Sequence, residues 1–97
     1  MSTIEASDVI DRLETLVASA IAKLERAEVN GLIEIVAAQC ECAKELQGAE
    51  IDEANRERLT GVAKRVQLQQ RLIEQGLSIA STVLRDIYRG RAFSEFA

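Results

Sequence analysis

The chain contains no proline, no histidine and no tryptophan, and only two cysteines and three aromatic residues, Tyr88, Phe93 and Phe96. Each shortage excludes something. Proline costs about 3 kcal/mol in a helix interior, so its absence leaves no residue that forbids a helix outright. Lack of histidine removes the usual general base near neutral pH and the commonest metal ligand. Two sulfurs, Cys40 and Cys42, fall short of a zinc site. At positions i and i+2 of a helix they point to different sides. They are therefore predicted to stay unbonded, Cys42 packed in the core and Cys40 flanking it, in a reducing compartment. With so few rings, the core must be built from aliphatic side chains. Apolar runs are far shorter than the ~20 residues of a membrane-spanning helix. The acidic N-terminus "MSTIEASDVIDRLE" does not read as a signal peptide. A cytoplasmic protein without a membrane span is the expectation.

What is abundant is Ala, Leu, Ile, Glu, Arg and Gln, a helix-forming set, in 97 residues that suffice for one domain. The fold class read from this is all-α. Net charge is −4, which argues against nucleic acid as the main partner. Its distribution is uneven. Residues 1–53 carry twelve acids and four bases (−8), whereas residues 54–97 carry four acids and eight bases (+4). The two parts are predicted to attract each other as antiparallel neighbours. Arg56, Arg58, Lys64, Arg65 and Arg71 could form a basic surface, but the acidic first part is expected to neutralise much of it, and no aromatic residue interleaves to stack on bases.

Ser2 and Glu5 fit a capping box, and Asp8 and Asp11 suit the positive end of a helix. Val9/Ile10, Leu13, Leu16/Val17, Ala20/Ile21 and Leu24 then recur at steps of three and four. Asn30-Gly31 is a break signal, and Asn30 could cap a fresh helix. The phase nevertheless survives through Leu32, Ile35, Gln39, Cys42 and Leu46, which favours one long helix with a kink at Gly31. Gly48 is placed as a left-handed cap and Asp52 as the next N-cap. The last helix carries Leu59, Val62, Val66, Gln69, Ile73, Gly76/Leu77, Ala80, Val83/Leu84 and Ile87 in a near-heptad seam, with Gly90 as its stop.

The predicted architecture is thus a long antiparallel hairpin: first arm about 3–47, loop 48–51, second arm about 52–89 and tail 90–97. At about 1.5 Å per residue the arms are roughly 65 Å and 55 Å long, near enough in length to favour a hairpin over a three-helix bundle with an overhang. Such a hairpin cannot cover its own apolar faces, so a second copy or a partner helix is expected to complete it.

No catalytic constellation is legible. Ser19, Ser78, Ser81 and Thr82 have no base at a specific spacing, and the five glycines are scattered singly rather than gathered in a phosphate loop. Arg58, Arg65, Arg71 and Gln69 could be cast as an anion site, but such residues are more often ordinary helix surface. The expectation is a protein that is not an enzyme and uses no cofactor or metal. "RVQLQQRLIEQGL", Arg65 to Leu77, leaves two readings open. Gln69 and Gln70 are either one tolerated polar layer, or the mark of a seam that stays exposed until another helix arrives.

"LERAEVNGLIEIVAAQCECAKEL" and "RVQLQQRLIEQGLSIASTVLRDIYRG" resemble the two long helices of FlgN-type flagellar export chaperones, although Gln69 and Gln70 stand where that family usually has Asn. The resemblance implies a cytoplasmic type III export chaperone. It would bind the C-terminal helical segment of hook–filament junction proteins in an apolar groove. Carried over by position, Ile73, Leu77, Ala80, Leu84, Ile87 and Tyr88 would line the groove, and Arg85 and Arg89 would rim it. Phe93 and Phe96 would add aromatic anchors to the partner face. On this reading the glutamines mark reversible pairing with another helix. The competing expectation is a homodimeric helical-bundle adaptor or regulatory protein without an export role.

Overall fold

A helix whose apolar residues come as adjacent pairs has a face wide enough to cover two neighbours, and the first helix uses it that way. The computed structural model describes the backbone of residues 5–96 and the side chains of residues 5–89. It has three helices: α1 (Ala6–Glu25), α2 (Leu32–Gln47) and α3 (Glu53–Phe96). α1 packs against both of the others. Val9, Ile10 and Val17 are fully buried, with Ala6, Leu13, Ala20 and Ile21 beside them. The narrower stripes of the other helices add Cys42 and Leu46 from α2 and Val62 from α3. Leu59, Val66 and Leu72 pack partly buried against this core. Cys42 is buried and Cys40 exposed, both free, as their spacing predicts.

The first arm is two helices, not one. α1 ends in a Schellman turn: the Ala27 amide donates to the Leu24 carbonyl at 3.1 Å, and the Glu28 amide to the Lys23 carbonyl at 2.8 Å. Ala27 sits at the left-handed position of that turn with φ 56°, where glycine is usual. A second left-handed residue, Gly31 (φ 79°), starts α2, so Gly31 rather than Asn30 occupies the cap, without a side-chain cap bond. Two left-handed residues within five positions reverse the chain instead of kinking it. The continuous apolar phase across residues 24–46 is real, but it lets α2 fold back onto α1.

The loop of residues 48–52 follows the sequence more closely. The Asn55 amide donates to Asp52 Oδ1 at 2.8 Å, so Asp52 does cap α3. Gly48 ends α2 at the expected position but with φ −97°, so it is not left-handed. At the N-terminus, Asp8 lies in the first turn of α1 and Glu5 at its cap. The Ser2 half of the predicted capping box lies outside the described residues. α3 does not stop at Gly90; its helix runs on to Phe96, so no separate tail follows residue 89.

α1 and α2 run antiparallel, tied near one end by an Arg12–Glu45 ion pair. α2 and α3 also run antiparallel and meet through Gln39 and Gln69, which leaves α1 parallel to α3. These two buried glutamines answer each other: Gln39 Nε2 donates to Gln69 Oε1 at 2.8 Å and Gln69 Nε2 to Gln39 Oε1 at 2.9 Å. No buried side-chain nitrogen or oxygen among the described residues lacks a partner. Gln69 is therefore a closed intramolecular layer and not the mark of a seam awaiting another helix; Gln67, Gln70 and Gln75 are exposed. The molecule measures 69 × 25 × 20 Å, and its long axis is set by α3.

Two sets of variants test this account. Ala27→Gly is expected to stabilise the fold by about 1 kcal/mol, because it relieves a left-handed alanine, and Gly31→Ala to destabilise it by a similar ~1 kcal/mol, both read from urea unfolding. Gln39→Ala is expected to cost about 1–3 kcal/mol by stranding the buried amide of Gln69, whereas the double change Gln39→Leu/Gln69→Leu, measured the same way, is nearly neutral or stabilising.

Candidate functional site

α3 has 44 residues, against 20 in α1 and 16 in α2, so the two short helices cover only part of it. The predicted seam divides accordingly. Leu59, Val62, Val66 and Gln69 are buried or half-buried against the bundle, with Leu72, outside the predicted seam, beside them, and Ile73 is half-buried at the edge. From Glu74 to Arg89 every side chain is exposed. This arm has the same spacing as the covered half: Gly76, Ala80, Val83 and Ile87 continue steps of three and four, with Leu77 and Leu84 alongside. Here no helix lies over them. Exposure of the large apolar side chains runs from 51% at Val83 to 68% at Tyr88, with Leu77, Ile79, Leu84 and Ile87 between. A single helix bare on all sides is marginal in water, and scattered exposed aliphatics need no explanation, but an ordered stripe of them does.

The arm gathers most of the residues predicted to contact a partner. Leu77, Ala80, Leu84, Arg85, Ile87, Tyr88 and Arg89 are exposed on it, and Ile73 stands at its root. Side chains of Phe93 and Phe96 lie outside the described residues. Ile79 and Val83 belong to the same surface. Val83 was visible as a seam position; Ile79, three residues after Gly76 and four before Val83, also fits the spacing, but Ala80 was taken for that layer. Val29 and Ile33, 73% and 82% exposed, stand at the turn between α1 and α2. Between Glu74 and Arg85 the sequence "QGLSIASTVL" carries no charge.

Charge is concentrated instead where α3 meets α1. Arg58 donates to carboxylates of both Asp11 and Glu14 and, at 3.3 Å, to Ser7 Oγ. These bonds, Asp11 first and Glu14 second, raise the guanidinium pKa above its ordinary value. The predicted attraction between the acidic and basic parts of the chain takes this form, although the two helices involved are parallel. It also disperses the residues cast as an anion site. Arg58 is engaged by α1, Gln69 is closed on Gln39, Arg65 is exposed, and Arg71 borders a shallow surface depression with Gln67, Gln70 and Glu74. Among the described residues no three His, Cys, Asp or Glu side chains gather as a metal site, and no helix is long and apolar enough to cross a membrane.

No protein-family model matches this chain, and no curated protein and no solved structure matches it.

Arg58→Ala is expected to lower the urea midpoint of the bundle, with a deficit that shrinks as salt is raised, because the lost pairs are partly solvent-exposed and screened. A deficit independent of salt would show that Arg58 acts through packing of its aliphatic stem.

Proposed function

We propose that this protein is a non-catalytic helix-docking module in which the small bundle anchors α3 and the arm from Ile73 to Arg89 receives an amphipathic helix of another protein. The observation that carries the reading is the continuation of one seam from covered to uncovered. The spacing that buries Val62 and Val66 under α1 recurs at Ala80, Val83 and Ile87 with nothing over it. A helix with a complementary aliphatic stripe would extend the same packing, by the helix-in-groove mode. Arg85 and Arg89 lie one turn apart at the outer end of the arm, on the side of α3 turned away from Ala80 and Ile87, so the client is selected by shape and apolar surface.

The specific form we propose is the one implied by the resemblance to FlgN-type proteins: a cytoplasmic chaperone for flagellar type III export. It shields the C-terminal helical segment of hook–filament junction proteins until export. An export chaperone has to release its client, and a surface of small and medium aliphatic residues without a buried ion pair suits reversible binding. Ile79 and Val83 join the partner-contacting set on this reading.

The test is fluorescence-anisotropy titration of the full chain with a labelled peptide, the C-terminal helical segment of a hook–filament junction protein from the same organism. Saturable binding in roughly the micromolar range, about −8 kcal/mol, is expected. Leu84→Asp or Ile87→Asp is expected to abolish it while leaving the cooperative unfolding of the bundle in place, and Arg65→Ala with Arg71→Ala to leave it unchanged. Absence of binding, or binding that survives Leu84→Asp, would refute the assignment.

A further inference from the structure

Apolar residues come as adjacent pairs along the arm, as they do along α1. In "IEQGLSIASTVLRDIYR", residues 73–89, the pairs GL, IA, VL and IY follow one another at steps of three and four. Every other residue after Ile73 is polar. On a helix this sorting divides the arm into two halves. The apolar half spans an arc of roughly 180°, from Ile79 on one flank across Ala80 to Leu77 and Tyr88 on the other, whereas about 100° suffices for a helix facing one neighbour. The covered half of α3 is narrower. Leu59, Val62 and Val66 pack against the core, and α2 is met through the Gln39–Gln69 pair. α1, whose apolar positions are paired, packs on two neighbours. By the same measure one docked helix would cover one flank of the arm and leave the other in water.

The bundle limits what can lie on so wide a face. Ala80 follows the buried Val62 by about five full turns, so the arm's apolar half is the side of α3 that α1 and α2 cover up to residue 72. Those helices stand about one helix diameter, ~10 Å, proud of the arm. A flat lipid surface laid along the arm would run into them. Gly76 and Ala80, at the centre of the face, also offer little to insert among acyl chains. Small residues there suit close approach of helices. Gly76 has open space at the position of an added Cβ, so its own chain does not require glycine there. Two helices seated end to end with α1 and α2 fill the space at matching depth. The arm is about 25 Å long, close to the ~24 Å of the 16-residue α2. The turn between α1 and α2 adds a further contact. With Gln39 level with Gln69 and the helices antiparallel, Ile33 stands about six residues, ~9 Å, further along, level with Gln75. Ile33 and, in the turn before it, Val29 are exposed there, beside the near end of whatever sits on the arm.

We propose that the occupant of the arm is a helical hairpin, two antiparallel helices of one partner, each of about 15–20 residues with an aliphatic stripe. It lies end to end with the α1–α2 hairpin, and α3 becomes the shared third helix of two successive bundles. The proposal rests on the docking reading for the site and specifies the partner as two joined helices instead of one. Joining them makes seating of the second helix intramolecular.

Two probes test it by isothermal titration calorimetry on the full chain: a designed hairpin of two helices of about 18 residues with Leu and Ala at the facing positions, and a lactam-stapled single helix of the same sequence. The hairpin should bind one per chain, and the single helix two per chain and about tenfold or more weaker. Ile79→Asp and Leu77→Asp, on opposite flanks, should each weaken the hairpin by about tenfold or more, with cooperative urea unfolding of the bundle retained. Failure of the hairpin to bind overturns the proposal, and so does parental affinity in either flank variant. Cosedimentation of the chain with phosphatidylcholine–phosphatidylglycerol vesicles, competed by the hairpin, would overturn it in favour of a lipid surface. The two readings fail separately. A junction-protein peptide bound one per chain and indifferent to one flank variant keeps docking and removes the hairpin. Hairpin binding without binding of that peptide keeps the surface and removes the export client.

Discussion

The reversal of the chain at residues 26–31 is the constraint on which the rest of this structure depends. It divides 42 residues of continuous apolar phase, 6–47, into two helices that lie back to back, and neither is long enough to match α3. Had the chain run straight, its first arm would have covered α3 from end to end. Because it turns, the bundle closes over the first half of α3 and leaves the second half bare. The turn is held by the Schellman bonds from Ala27 and Glu28 and by the left-handed Gly31, and it persists despite the strain of a left-handed alanine. Packing on both sides of α1 is what outweighs that strain, since Val9, Ile10 and Val17 are completely buried in the assembled bundle.

Within the bundle, the Gln39–Gln69 pair decides how far the cover extends. A pair of amides that satisfy each other is sensitive to register: slide α2 by one turn along α3 and both amides are buried without partners. The pair thereby sets α2 at one level on α3 and places Ile73 at the edge of the cover. Arg58 does the equivalent for α1, holding its acidic face against α3. Polar contacts position the helices, and the aliphatic core supplies the driving force.

The structural consequence is a division along one helix. The first half of α3 is fixed by core and ion pairs. The second half lacks intramolecular packing, and such regions lie at the low end of the local stability range, where binding elements are commonly drawn from. The arm is uncharged at its centre and stepped in size, so what it offers a partner is shape and apolar surface rather than charge. Selectivity on such a surface would come from register.

All-α character, the stripe of α1, the Asp52 cap, the burial of Cys42 and the covered part of the α3 seam were legible in the sequence, because each depends on residues within a turn or two of one another. The end of α1 was not, since its decisive left-handed residue is Ala27 and alanine is the strongest helix former of all. Nor was the role of Gln69, whose partner Gln39 is thirty residues away. Gly90 was read as a stop, yet an isolated glycine lowers helix stability without forbidding the helix, and α3 continues through it. The sequence by itself determined which residues share the apolar face of each helix, since periodicity is a local property. Only the tertiary structure decided which stretch of the seam is covered. Coverage depends on where the chain turns back, and therefore on the relative lengths of helices whose ends local signals specify poorly.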